Sequence, residues 1–147
     1  MTLFTHILAG YDGSKNAAAA VRKAAEMTHL CGAELSVLTI YRHHSLLEAS
    51  LSMVRPGDPG SIDAAMRDYA TETAEHGKSI ARESGAPDAR AFIRSGHPSR
   101  SLIDFADQRG ADLIVIGSRG LGSVENYLLG SVSHKISGLA RCPVLVV

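Results

Sequence analysis

Tryptophan is absent, and four tyrosines and three phenylalanines supply all the aromatic surface. A platform that stacks the bases of single-stranded nucleic acid is therefore not expected. Lys plus Arg and Asp plus Glu both number 15, for a formal net charge of zero. No positive excess is left to displace counterions from a phosphate backbone, so no nucleic-acid partner is expected. The apolar runs are strand-length, which predicts no membrane-spanning helix and no membrane partner. Met1-Thr2-Leu3-Phe4-Thr5-His6 lacks the charged start and long apolar stretch of a secretory signal. Two cysteines, Cys31 and Cys142, make no disulfide framework, and neither sits in a C-x-x-C. Together these absences point to a cytoplasmic protein with reduced thiols. The two cysteines are read as small buried side chains rather than nucleophiles.

What the 147 residues do contain is an alternation of short apolar runs with longer segments of helical period, read as one domain spanning 1–147. Ile7 and Leu8 sit in a buried first strand over 5–11. Asp12-Gly13-Ser14 turns the chain, with Ser14 as the helix N-cap. Ala17, Ala20, Val21, Ala24, Ala25 and, after a one-residue slip, Leu30 form the inward stripe of a helix over 16–30 that Gly32 stops. Leu35, Val37, Leu38 and Ile40 mark a second strand over 34–41. Residues 42–60 have no clear period and read as a long functional loop, with a short helical piece at 46–51 and a turn-rich hinge at 56–60. A second helix, capped by Ser61, runs to about 84 with Ile62, Ala65, Met66, Tyr69, Thr73 and Ile80 on one side and Gly85 as its stop. Residues 89–93 alternate as a third strand at a sheet edge. Pro98 opens a third helix, with Leu102, Ile103 and Ala106 inward and Gly110 ending it. The fourth strand, 111–116, is apolar on both faces, as a central parallel strand must be. A helix over 131–141 and a last strand of Val144, Leu145, Val146 and Val147 complete the chain. Strands alternating with helices predict an α/β fold with an open five-stranded parallel sheet and helices on both faces.

The most informative stretch joins the fourth strand to the last helix. Gly117, Gly120, Gly130 and Ser131 fall in the spacing G-x2-G-x9-G-S. Glycines allow close backbone approach to an anion, and a helix start offers unpaired N–H groups and the positive end of its dipole. Ser131 adds a hydroxyl that would cap the helix or bind a phosphate oxygen. Neither G-x-x-x-x-G-K-[ST] nor G-x-G-x-x-G is present, so the common nucleotide fingerprints do not apply.

This spacing resembles the ATP-binding signature of the universal stress protein family. Ile7-Leu8-Ala9-Gly10-Tyr11-Asp12-Gly13-Ser14 resembles that family's opening strand and turn. Gly130-Ser131-Val132-Ser133-His134-Lys135-Ile136 resembles its last helix start, and Cys142-Pro143-Val144-Leu145-Val146-Val147 its closing strand. The resemblance implies strand order 3-2-1-4-5, an adenine-nucleotide α-hydrolase-like arrangement that places Asp12 and Gly117 beside one crevice. It implies ATP or AMP as ligand, with Mg²⁺ as an option, and a homodimer formed through the 144–147 strand. By the same resemblance Asp12 contacts the ribose or adenine side, against the alternative of a turn-forming aspartate. Ile40 offers its main chain to the adenine. Gly117, Gly120, Gly130 and Val132 act through backbone N–H groups, Ser131 meets ribose or phosphate, and Arg119 pairs with phosphate or lies in solvent. The implied role is a regulator or stress sensor, in which ligand orders the 118–129 and 42–60 loops. The alternatives are a slow ATPase or adenine-nucleotide hydrolase on the same fold, and an interaction module that binds no nucleotide. No P-loop lysine and no paired carboxylates stand at the loop, which argues for at most slow hydrolysis. His43-His44 invites a metal reading, but adjacent histidines point differently and lack partners at ligand spacing. These two and His134 are read as exposed.

Overall fold

The computed structural model describes residues 3–42, 59–119 and 130–147. Among the described residues nine elements alternate: β1 (His6–Gly10), α1 (Lys15–Cys31), β2 (Glu34–Tyr41), α2 (Pro59–Glu83), β3 (Arg90–Ser95), α3 (Pro98–Arg109), β4 (Leu113–Ile116), α4 (Ser131–Leu139) and β5 (Val144–Val146). All the strands are parallel, in the order β3-β2-β1-β4-β5. The expected order 3-2-1-4-5 is thus borne out, with β3 at an edge. The strands are added toward one edge from β1 to β3 and toward the other from β4 to β5, so the strand order reverses between β1 and β4.

The sheet divides the interior into two cores. On one face α1 and α2 pack Ala20, Val21, Ala24, Ala25 and Ala81 against Ile7, Ala9, Val37 and Val115. On the other, α3 and α4 bring Leu102, Phe105, Ala106 and Ile136 onto Leu8, Leu38, Ile114 and Ile116. Small side chains line the first core, and they let the helices approach the sheet closely. Gly77 on α2 shows how closely: a Cβ there would stand 2.7 Å from Tyr11 Cδ2 and 2.9 Å from Val37.

Local chemistry sets the helix ends. Ser14 Oγ accepts from Ala17 N at 3.1 Å, as a capping serine should. Gly32 and Gly110 take the left-handed conformation, both at φ 68°, where a Cβ would be strained. Their N–H groups return to carbonyls of the last helical turn.

Several sequence expectations give way to packing. Leu30 is not part of the α1 stripe; it is 83% exposed. The stripe continues instead through Thr28, which lies a full heptad beyond Val21 and keeps its phase. On α2 the buried line is Ala70, Ala74, Gly77 and Ala81, while Tyr69 is 70% exposed and Ala65 is also exposed. The larger side chains cannot face inward because Tyr11 and Val37 fill the space opposite Gly77. Ser61 does not cap this helix, which already begins at Pro59, inside the expected 56–60 hinge. Residues 43–58, with His43, His44 and the short helical piece, lie outside the described residues. The last helix ends at Leu139 rather than near 141 and starts from Gly130, so Ser131 is its first residue and not its cap. The third strand runs to Ser95, two residues beyond the expected end, held by β2 from Ser36 to Tyr41. The fourth starts at Leu113, because Asp112 is drawn into side-chain bonds at the sheet's amino end. Cys31 and Cys142 are half-buried rather than buried. Burial, with the Asp107 and Asp112 carboxylates nearby, pushes the Cys142 thiol up, so it stays protonated. His134 is exposed, as read.

Candidate functional site

At the carboxyl ends of the strands, in the gap between the β1 and β4 exits, lies a cavity of about 370 Å³. Its walls combine Leu38, Ile40 and Arg42 of β2 and its exit, Leu102 of α3 and Ile136 of α4 with Gly10, the last residue of β1, and Tyr11 and Asp12 beyond it. Gly117, Arg119, Gly130, Ser131, Val132 and Ser133 close the remaining side. Of the eight residues expected at a ligand site, seven therefore meet around one space. The eighth, Gly120, lies outside the described residues, as do the other residues of the 120–129 stretch.

The position follows from hydrogen-bond alternation in a parallel sheet, where successive residues address opposite neighbours. Leu38 faces β1: its carbonyl accepts from Tyr11 N at 2.9 Å. Tyr41 faces β3: its carbonyl accepts from Gly96 N at 2.9 Å. Ile40 shares the phase of Leu38, so its main-chain N–H and C=O point toward the β1 column, two residues past Leu38, the partner of β1's last residue, Gly10. On the other flank, Ile116 and Ser118 address the C-terminus. Val147 N donates to Ile116 O, and Ser118 N donates to Val147 O, both at 2.8 Å. Gly117 between them faces the β1 column as well, in phase with Val115, which pairs with Ala9. Where β1 stops, its neighbours thus direct main-chain groups into the crevice from both sides.

Two glycines keep that crevice open. A Cβ at Gly10 would lie 2.8 Å from Leu102 Cδ1, and one at Gly117 would lie 2.7 Å from the Asn16 carbonyl carbon. Gly117 is thus required first by the start of α1 beside it. The loop ends are tied at its base: Gly130 N donates to Ser118 O at 2.6 Å, and the Ser133 hydroxyl donates to the same carbonyl at 2.8 Å. Asn16 Nδ2 adds a 3.3 Å bond to Ser118 Oγ. These bonds aim the first turn of α4 at the cavity. Gly130 at the cap position has no side chain to satisfy the turn's N–H groups, which leaves them as donors for an anion.

Asp12 does form the turn that the bland reading foresaw, since its Oδ1 accepts from Ser14 N at 2.9 Å. Its carboxylate nonetheless borders the cavity, and an ionised carboxylate accepts hydrogen bonds at both oxygens. Tyr11, missed by sequence reasoning although it stands in the quoted opening motif, is fixed at three points. Its N–H reaches Leu38, its carbonyl accepts from the Thr39 hydroxyl at 2.8 Å, and its own hydroxyl pairs with His76 Nδ1 of α2 at 2.7 Å. Burial, then the neighbouring Asp12 carboxylate, pushes that hydroxyl's pKa up. Arg42 and Ser133 were also missed. Arg42 opens the aperiodic stretch after β2, yet it keeps the alternation of Leu38 and Ile40 and so reaches the same wall. Ser133 lies two residues past Ser131, in a segment matched for other reasons.

The universal stress protein family model matches residues 3–147. The universal stress protein YxiE of Bacillus subtilis (strain 168) is 34% identical over 148 residues, covering 99% of both chains. Among solved structures, a universal stress protein in complex with cAMP superposes with a TM-score of 0.74 at 27% identity, over 98% of this chain and 97% of that one. The universal stress protein from Archaeoglobus fulgidus in complex with dAMP gives 0.64 at 26% identity, over 99% and 98%. The motifs, the strand order and these likenesses agree, and the chain belongs to the universal stress protein family.

Proposed function

We propose that the cavity binds an adenine nucleotide, ATP or AMP, and that the protein is a nucleotide-dependent regulator of a stress response. The observation that carries this is the convergence of seven chosen residues on one space where the strand order reverses, the usual place for a ligand in an open parallel sheet. The first turn of α4, with Gly130 and Ser131, receives the phosphates, and Arg119 adds charge at that end. Asp12 accepts from ribose hydroxyls. The Ile40 N–H and C=O meet the base edge, with Leu38 and Leu102 as its apolar walls. That structural neighbours were solved with cAMP and dAMP supports a purine nucleoside phosphate as the ligand class.

Mg²⁺ is expected only alongside ATP, bridging phosphates, and turnover is expected to be slow or nil. The working unit is a homodimer in the cytoplasm, paired through Val144, Leu145 and Val146 at the sheet edge, where a half-buried apolar strand gains from a partner. Among the described residues no helix is long and apolar enough to cross a membrane. Titration calorimetry with ATP and AMP tests the binding: a saturable heat that Gly130→Leu abolishes supports it, and no heat with either nucleotide overturns it. Light scattering on Val146→Glu tests the dimer separately. A fall from dimer to monomer is expected, and an unchanged mass would remove β5 as the interface.

A further inference from the structure

We propose that Thr39, which does not line the cavity, is a positioning residue that acts through Tyr11 to free the Ile40 N–H for the ligand. The proposal rests on the nucleotide reading above and names the residue that prepares its base end.

The rungs between β1 and β2 show where the ladder breaks. The register pairs Ala9 with Val37 and Gly10 with Leu38. Tyr11 N donates to Leu38 O at 2.9 Å, which continues the ladder by one bond. In a parallel pair the next bond runs from Ile40 N to Tyr11 O. Among the described residues that bond is not made. Tyr11 O accepts instead from Thr39 Oγ1 at 2.8 Å. Thr39 is in phase with Leu35 and Val37, so its hydroxyl stands on the face of the sheet that α1 and α2 cover. A bond from that face turns the Tyr11 carbonyl out of the plane in which Ile40 N lies. β1 accordingly ends at Gly10 while β2 runs on to Tyr41. The following rung, from Gly13 N to Ile40 O, is lost for a different reason. Asp12 and Ser14 close a turn there, with Gly13 at φ 89°. The turn thus frees the Ile40 carbonyl, and Thr39 frees its N–H.

The chemistry explains why a hydroxyl is needed. A buried carbonyl must find a donor. Thr39 is 5% exposed and supplies that donor without spending a main-chain group. The N–H it spares belongs to a residue of the cavity wall. Together with the Ile40 carbonyl it forms a donor–acceptor pair. Adenine presents the complement, a ring nitrogen beside its amino group. Thr39→Val keeps the side-chain shape and suits a strand. It leaves Tyr11 O without its donor, and the Ile40 N–H is the next group of the ladder able to replace it.

Amide hydrogen exchange and calorimetry on the full chain test this together. In the ligand-free wild type the Ile40 amide is expected to exchange at least about tenfold faster than that of Leu38, which is held in the ladder. Thr39→Val should slow Ile40 to the Leu38 range, and Thr39→Ser should leave it fast. AMP should bind Thr39→Val about three- to tenfold more weakly, the range of one hydrogen bond, and Thr39→Ser as it binds the wild type. A merely structural hydroxyl would lower the melting point without selecting among ligands. AMP is therefore compared with its 1-deaza and 7-deaza analogues, each of which lacks one ring acceptor. One of the two should bind the wild type less tightly than AMP and lose nothing further in Thr39→Val. An Ile40 amide as protected as Leu38 in the wild type would overturn the proposal, whether or not the variant folds. Equal losses for AMP and both analogues would overturn it too. If AMP gives no heat with the wild type, the nucleotide reading fails and takes the proposal with it; AMP binding that ignores Thr39→Val sinks the proposal alone.

Discussion

The two ends of the sheet treat their backbone groups in opposite ways. At the carboxyl end, β1 stops short and Ile40 and Gly117 direct main-chain donors and acceptors into a cavity. At the amino end, the chain spends side chains to close the structure. Asp112 accepts from Thr5 N at 2.8 Å, Thr5 Oγ1 at 2.9 Å and His6 N at 3.0 Å. The His6 ring donates from Nδ1 to the Arg109 carbonyl at 3.0 Å and pairs through Nε2 with Ser36 Oγ at 2.8 Å. Nearby, the Arg109 guanidinium lies 4.5 Å from the Phe92 ring centre and 5.2 Å from that of Phe105. An open end suits a ligand and a closed end suits stability. Changes at the two ends should therefore read out differently, in affinity at one and in melting at the other.

The largest effect is expected where both properties meet. Gly117→Val would drive a branched side chain into the Asn16 backbone. It should cost about 3 kcal/mol of stability, by overpacking, and nucleotide binding as well. A melting point within a degree or two of wild type would show that the α1 start yields easily. Next is Asp112→Ala at the closed end, expected to cost about 1–2 kcal/mol, since three donors lose a partly exposed partner. Nucleotide affinity should be unchanged, and a loss of affinity would mean the ends are coupled. At the open end, Asp12→Ala should weaken nucleotide about tenfold, near 1.4 kcal/mol, with a smaller cost in melting. A larger fall in stability than in affinity would make Asp12 a turn residue only.

The smallest effect is in pH. Burial pushes the Asp112 carboxyl up, but the bonds from Thr5 N, His6 N and the Thr5 hydroxyl outweigh it and hold the folded value below the usual range. A group with a depressed folded value stabilises fully above its unfolded value, about pH 4. That contribution is lost as pH falls through the folded value. Urea melts of Asp112→Asn should therefore trail wild type at pH 7 and converge with it in acid, once the pH has fallen through the folded value. A gap that persists in acid would assign the effect to geometry rather than charge.

Much of this was legible in the sequence because it is local. The Ser14 cap, the stops at Gly32 and Gly110, and the bounds of β2 depend on residues within a turn of one another. Cavity residues could be chosen because a glycine-rich exit and a helix start are also local, and the family signature tied them to Asp12 and Ile40. What escaped depends on tertiary neighbours. The inward face of α2 is set by Tyr11 and Val37 opposite Gly77, so hydrophobicity alone picked Tyr69 wrongly. Leu30 was misplaced because a one-residue slip was allowed where the helix keeps strict phase through Thr28. The Asp112 clamp joins residues 106 and 107 apart in sequence. Arg42 continues the strand alternation of Leu38 and Ile40 past the end of β2, into a stretch whose sequence has no period of its own.

The central claim is that the open end of the sheet holds a purine nucleotide. The most direct measurement is to denature the freshly purified protein and analyse the supernatant by mass spectrometry. The account predicts AMP or ATP at close to one per chain in the wild type, and little or none from Gly130→Leu. An empty supernatant from wild-type protein that also takes up no added ATP or AMP would contradict it, and the glycine stretch would then be a structural turn over an unused crevice.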